Sequence, residues 1–557
     1  MCASGPQRKL SLDEKIGQMF SYGARGVFMS ESSPAYQQLL HHIRDNHIGG
    51  VIWFQSNVYE TALLDQKLQR ESRVPLLISA DLEAGMGMRF LDTTFWPSAM
   101  AVAATGDPSL AEREGRVVAR EARAVGVNHV LAPVADVNVD PENPVINARS
   151  FGEDPQDVSR YVVAFIRGVQ SEHVLATAKH FPGHGDTHVD SHRALPMLDV
   201  SRERLERVEL VPFRAAIAAN VASVMIGHLS VPSIEPTPAP VRTDRHNENP
   251  YGTTAEEVTR GGTLPATLSP KIINGLLRKE LGYNGLVVSD AFDMGGLTEH
   301  FDPGEAAVRA IEAGEDQILL SPNTDMAIAG VKAAVKSGRL SEARIDESVQ
   351  RILAAKEFAG APAADLENIF RVLDSQEHRD LASEIARRAL TLVREQNHLL
   401  PLKYTAKVAL IIVSDFPELN PMQDIERELR ARSQVVQTAV IDSRTRNEES
   451  PAIAADVAVF AFAVRARSGA GSITVPAAAR HLVEALKVPV IGISFGTPYL
   501  LREVPSLGTY ICAYGIQPVM QIAAVRALFG EAGFEGRLPV TIPGYYSRGH
   551  GVLSPGS

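Results

Sequence analysis

The sequence predicts two α/β units in tandem, an N-terminal (β/α)8 TIM barrel followed by a C-terminal αβα three-layer domain of the flavodoxin-like kind. Three observations lead there. Short apolar runs alternate with amphipathic helical patterns up to about Ala364, and eight such runs fit one closed parallel barrel. A second βα series with five runs follows a charged helical stretch. The length of 557 residues is too great for one hydrophobic core.

The barrel strands are expected at residues 19–23, 49–54, 75–81, 129–137, 176–183, 223–229, 285–291 and 316–321. Amphipathic segments at 61–70, 107–124 and 204–219 lie between them, which is the spacing of βα units. From 365 to 398 the chain becomes charged and helical, through 377–394, and ends in Leu399-Leu400-Pro401-Leu402. The second series places strands at 407–414, 435–441, 456–463, 489–495 and 509–514, with helices at 422–433 and 477–487 among them. The domains are thus read as 1–364 (barrel), 365–398 (helical linker) and 399–557 (αβα). The second domain has no Gly-x-Gly-x-x-Gly fingerprint and no P-loop, so its expected role is structural or regulatory. Residues 233–264, after the sixth strand, are rich in Pro, Thr, Gly and charge without periodicity; a run of this kind is a functional lid or a surface loop.

Composition removes several classes of function. The chain is 45% hydrophobic and 22% charged, ordinary for a folded globular protein. Its 55 basic against 66 acidic side chains give a net charge of −11 without a basic tract, so nucleic acid and anionic membranes are poor partners. Cys2 and Cys512 cannot build a disulfide framework or a cysteine metal cluster. No apolar run approaches the roughly 18 residues of a membrane span. The first residues have no apolar stretch like a signal peptide, and a cytoplasmic location is expected; a signal trimmed before Cys2 would instead make an exported or envelope lipoprotein.

In barrel enzymes the reacting groups sit at the C-terminal ends of strands. Polar residues collect there: the third run ends in Asp81 with Glu83 just beyond, the fourth leads into Asn147-Ala148-Arg149, the fifth ends in Lys179-His180 and continues to Asp186, the sixth ends at His228 and the seventh in Asp290. An Asp after a strand often only caps the next helix. Five polar strand ends on one rim are harder to set aside. His180, His184, His188 and His192 recur every four residues, but Pro182, Gly183 and Gly185 break any helix that would align them, so zinc is a weak reading and no metal or cofactor is implied. As a loop, the glycines would let the backbone turn tightly and approach a ligand. Asp190 stands two residues from His192, close enough to orient the ring and raise its pKa into the range of a proton donor.

The runs 132–138, 147–155, 179–185 and 287–294 resemble glycoside hydrolase family 3. Residues 179–186 with Asp190-Ser191-His192, and Pro265-Ala266-Thr267-Leu268-Ser269-Pro270, are similar to its β-N-acetylhexosaminidase branch, the NagZ-type enzymes, in a two-domain form. The resemblance covers the barrel nearly end to end and the second half only loosely. It implies a retaining mechanism with Asp290 as nucleophile and His192, held by Asp190, as acid and base. Asp81, Arg149, Lys179 and His180 correspond to positions that grip the sugar, with His228 a weaker candidate for the same pocket. The third-strand motif departs from the family pattern, with Leu82 and Ala84 where Gln and Gly are usual.

The implied activity is removal of terminal β-linked N-acetylglucosamine from peptidoglycan fragments or chitooligosaccharides. Within the family the alternatives are a β-N-acetylglucosaminide phosphorylase, because a neutral His adds no negative charge to repel phosphate, and a β-glucosidase. Outside it stands a non-catalytic sugar-binding protein, against which the presence of Asp290, Asp190 and His192 together argues. The expected partner is a small GlcNAc-containing carbohydrate.

Overall fold

A computed structural model of the chain describes residues 10–242, 262–360, 364, 366–396, 398–415, 417, 422–446, 453–467, 469–470 and 472–554. Eight parallel strands close into the expected barrel: β1 (Phe20–Arg25), β2 (Gly50–Phe54), β3 (Leu77–Ala80), β4 (His129–Val130), β5 (Leu175–Phe181), β6 (Ser223–Ile226), β7 (Leu286–Ala291) and β8 (Gln317–Leu319). Phe20 pairs with Ile318 and Ser21 with Leu319 to close the ring. Helices cover the outside and side chains fill the inside, so strands such as β5 are buried along their whole length. That double burial is why the sequence shows continuous apolar runs rather than alternation.

The outer helices carry clear start and stop signals. Pro108–Val125 begins after Asp107, whose side chain accepts the Ser109 N–H, and ends at Gly126 with φ of 101°. Its neighbour Pro155–Gln170 is capped by Asp154 on the N–H groups of Gln156 and Asp157. Each shows one apolar face, and the two pack together against the barrel. The stretch 204–219, read as one helix, is two, Arg202–Arg207 and Leu210–Ala218. The fourth strand is also shorter than its apolar run: pairing with β3 stops at Val130, and Pro133, which lacks an N–H, follows in the irregular segment beyond.

The second sheet has β9 (Thr391–Glu395) at one edge and β10 (Lys407–Ser414), β11 (Gln434–Ile441), β12 (Val457–Ala463), β13 (Val490–Ser494) and β14 (Thr509–Cys512) parallel, in the order β11-β10-β12-β13-β14-β9. These five strands have the flavodoxin-like order 2-1-3-4-5. The sixth corrects the sequence reading. Residues 377–394 were expected to be helical, but the helix Gln376–Ala389 stops and β9 (Thr391–Glu395) pairs antiparallel with β14. Thr391, Leu392 and Val393 are buried in that pairing, which outweighs the helical spacing. The linker therefore ends inside the second sheet.

The two halves interlock. Met100, Ala101 and Ala104, from the barrel helix Ala99–Ala104, lie in the hydrophobic core of the second domain. Asn138 Nδ2 donates to Tyr499 Oη at 2.9 Å, and Glu153 accepts the Thr541 N–H at 2.7 Å. The C-terminal ends of both sets of strands consequently face one cavity.

Of the irregular run 233–264, residues 243–261 lie outside the described residues. Its stem pairs antiparallel between Pro238 and Thr263, and the Arg242 N–H reaches the Glu299 carbonyl beyond β7. No described helix is long and apolar enough to cross a membrane.

Candidate active site

The cavity between the domains has a volume of about 850 Å³. On its barrel side β3, β4, β5 and β7 deliver charge at their C-terminal ends. Lys179, only 2% exposed, places Nζ 2.9 Å from Asp81 Oδ1 and 2.6 Å from Glu83 Oε1. Arg149 completes the group with two bonds to Glu83, Nε to Oε2 at 2.9 Å and Nη2 to Oε1 at 2.8 Å. Arg89 holds the other oxygen of Asp81 at 2.6 Å. Burial opposes ionisation of both acids, but Lys179 with Arg89 holds Asp81, and Arg149 with Lys179 holds Glu83, below the usual carboxylate range. The result is a fixed array of donors and acceptors on one wall, suited to the hydroxyls of a pyranose.

His180 is set by Asp136, which is fully buried. That carboxylate accepts the His180 N–H at 3.1 Å, its Nδ1 at 2.7 Å and the His184 N–H at 2.7 Å. His184 bonds Thr187 through Nδ1 and Ser191 through Nε2, and burial pushes it down to about 4, so it stays neutral. The glycines here make close backbone contacts, against the protein itself rather than a ligand. A Cβ on Gly185 would lie 1.8 Å from the Val137 carbonyl oxygen, and Gly183 has φ of 135°.

Asp290 ends β7 inside the cavity and takes the Ala291 N–H on Oδ1 at 2.8 Å. Burial opposes its charge, yet the His180 and His228 rings and that N–H hold it below the usual range, as an ionised carboxylate. His192 lines the same cavity, with Nδ1 2.8 Å from Asp190 Oδ1. Asp190 is buried, and against that burial its bonds to His192 and the N–H of Gly469 keep it ionised. Asp293, one turn past Asp290, also faces the cavity; burial pushes its carboxyl up to about 6.

Residues 11–355 match the profile described as Glycosyl hydrolase family 3 N terminal domain. The chain belongs to glycoside hydrolase family 3. It is 32% identical over 551 residues to a β-N-acetylglucosaminidase/β-glucosidase of Cellulomonas fimi, covering 95% of this chain and 93% of that one. It is 33% identical to β-hexosaminidase A of Pseudoalteromonas piscicida over 66% of this chain and 63% of the relative. Among solved structures, a family 3 β-N-acetylglucosaminidase from Paenibacillus sp. strain FPU-7 superposes with a TM-score of 0.80 at 33% identity, covering 95% and 99% of the two chains. A β-glucoside phosphorylase superposes with a TM-score of 0.83 at 27% identity, covering 95% and 94%.

In this family 3 member, Asp81, Arg149, Lys179, His180, His192 and Asp290 all line one cavity, and Asp190 stands directly behind His192. His228 does not line it. Its Nδ1 bonds Thr267 Oγ1 at 3.0 Å and its Nε2 the Ala291 carbonyl at 2.9 Å, so it braces the backbone beside Asp290 instead of reaching a sugar. The four histidines from His180 to His192 do not share a face; His188 is exposed and paired with Asp140. Among the described residues, the ligand-type atoms that converge within 4.8 Å are those of His41, His42 and Asp325, where His41 Nε2 already bonds Asp325 at 3.0 Å.

Sequence reasoning passed over several residues of the family 3 site. Glu83 was placed on the rim beside Asp81 but given no role, and Asp136 stands inside the 132–138 run without being singled out. Asp293 likewise stands inside the 287–294 run, and Arg89 had no signal. Arg465, Arg467 and Gln517 line the cavity from the second domain, whose expected role was structural or regulatory. That domain forms one wall of the site.

Proposed function

We propose that this chain is a retaining β-N-acetylglucosaminidase that removes terminal β-linked N-acetylglucosamine from peptidoglycan fragments or chitooligosaccharides. The observation that carries the reading is one cavity holding both an ionised Asp290 and the His192–Asp190 pair at 2.8 Å. The relatives whose names include β-N-acetylglucosaminidase and β-hexosaminidase support the choice of sugar.

In the first step the Asp290 carboxylate bonds to the anomeric carbon while the bond from that carbon to the aglycone oxygen breaks. The departing oxygen keeps the electron pair and takes the proton from His192 Nε2, the ring nitrogen opposite the Asp190 bond. In the second step water attacks the anomeric carbon, gives its proton to His192, and the ester to Asp290 breaks to restore the carboxylate. Retaining enzymes with two carboxyl groups assign the proton step to an acid kept neutral by burial. Here an imidazole beside a carboxylate does it from a position open to the cavity. Asp81, Arg149, Lys179 and His180 grip the sugar hydroxyls during both steps.

A second reading has one observation in its favour. Arg465 and Arg467 line the cavity from the second domain, and an imidazole in the acid/base position, unlike a carboxylate there, adds no negative charge of its own against an anion, so phosphate could take the place of water. Initial rates on aryl β-glycosides of GlcNAc and of glucose, each with and without phosphate and with Asp290→Asn as blank, separate the cases. GlcNAc preference without phosphate dependence supports the hydrolase. A rate gained with phosphate moves the reading to a phosphorylase, and a preference for glucose to a β-glucosidase. No turnover on any of them leaves a sugar-binding protein.

A further inference from the structure

Asp190 divides its two oxygens between the two domains. Oδ1 accepts the His192 N–H at 2.9 Å and His192 Nδ1 at 2.8 Å, both within the barrel. Oδ2 accepts the backbone N–H of Gly469, 279 residues later in the chain, at 2.8 Å. Gly469 follows β12 and has φ of 78°, in the left-handed region that suits glycine. The same short segment brings Arg465 and Arg467 to the cavity, and Arg467 Nη2 lies 3.2 Å from Asp415 just past the end of β10. In sheets of this strand order, the crevice between those two strand ends is where the connections change direction and where ligands usually sit. Here the segment that leaves the crevice meets the barrel instead.

On the barrel side the dyad is tied down through its backbone. Gly295 N–H bonds the His192 carbonyl and Gly296 N–H the Ser191 carbonyl, each at 3.0 Å. Those bonds fix where the segment runs, but not how the carboxyl plane of Asp190 is turned. Among the described residues, the barrel donors to that plane are both on His192, its backbone N–H and the ring nitrogen that Asp190 has to orient. The Gly469 N–H supplies a bond from outside the dyad, and a donor to a carboxylate also favours its charged form.

We infer that the second domain completes the acid/base dyad, with Gly469 as a positioning residue that turns and charges Asp190 and through it aims His192. This deepens the proposed function and rests on His192 being the acid/base. The second domain is then part of the proton-transfer apparatus as well as a wall of the cavity.

The test compares kcat/KM on a GlcNAc glycoside with an activated nitrophenyl leaving group and on one with an unactivated sugar leaving group, in Gly469→Pro, Gly469→Ala and His192→Ala. Loss of folded protein scales both rates alike, so the ratio reads positioning alone. Gly469→Pro removes the N–H and should lower the unactivated rate at least about tenfold more than the activated one, in the direction set by His192→Ala. Its acid limb on the unactivated substrate should also move to higher pH, because Asp190 loses a donor to its charged form. Gly469→Ala keeps the N–H in a strained backbone and should show the same asymmetry at a few-fold. If Gly469→Pro gives no folded protein, the ratio in Gly469→Ala decides. An asymmetry in His192→Ala with an unchanged ratio in the Gly469 variant that decides overturns the inference alone. Equal losses on both substrates in His192→Ala overturn the acid/base reading, and the inference with it.

Discussion

Lys179 reaches from β5 to Asp81 at the end of β3, Nζ to Oδ1 at 2.9 Å, and bonds Glu83 on the same side. One buried ammonium thus joins two acids that would otherwise repel each other across the wall of the cavity. Removing one partner of such a buried array strands the remaining charges at a cost of about 3–5 kcal/mol. Glu83→Ala, which removes both carboxylate bonds of Arg149 and leaves Lys179 with Asp81, should lower stability by that order in urea unfolding and raise KM together. An unchanged midpoint and KM would mean that water replaces the carboxylate without loss.

Asp290→Asn keeps the shape of the side chain and removes its negative charge. Turnover should fall at least a thousandfold, about 4 kcal/mol of barrier, while the affinity for GlcNAc, measured by calorimetry, changes little. Retention of a tenth of the wild-type rate would take the nucleophile's role away from Asp290.

His192→Ala should slow departure of poor leaving groups most, because only these need a proton. Plotted against leaving-group pKa, the logarithm of kcat/KM should fall more steeply in the variant than in the wild type. Parallel lines would remove His192 from the acid role.

Asp293 gives a pH dependence with a definite sign. Its carboxyl is raised from 3.8 to about 6 by burial, so the folded state holds this proton more tightly than the unfolded one. The stability it contributes is complete below pH 4 and is lost as pH rises through about 6. Asp290, Asp190, Asp81 and Glu83 are displaced the other way, and what they contribute is present above the usual carboxylate range and lost on acidification below it. Asp293→Asn should therefore make the fall in unfolding free energy between pH 4 and 6 shallower, the remainder belonging to other acids raised by burial such as Glu209, and leave the acid collapse below pH 4 in place. A slope unchanged from the wild type would assign that window to another group.

Much of this was legible because of how parallel barrels are built. Strands buried on both faces read as continuous apolar runs, and the charged residues in which such runs end fall at the rim, which places Asp81, Lys179 and Asp290 there. The His192–Asp190 pair was local, two residues apart. Less visible were partners brought together only by folding. The Thr267 and Ala291 contacts that occupy His228 come from segments 39 and 63 residues away, so sequence could place that ring on the rim but not show that it faces away from the cavity. β9 was misread because Thr391-Leu392-Val393 continues the helical spacing, and its strand identity depends on β14, more than a hundred residues later. The share of the second domain in the site was hidden for the same reason.

Met100, Ala101 and Ala104 belong by chain position to the barrel and by packing to the other domain. Melting either half would expose the apolar side of this short helix, so neither half has a low-energy way to open alone. Calorimetry should accordingly record one heat-absorption peak with equal calorimetric and van't Hoff enthalpies, where two-domain chains commonly give two. A barrel cut free at its last helix would carry an uncovered greasy stripe and should precipitate.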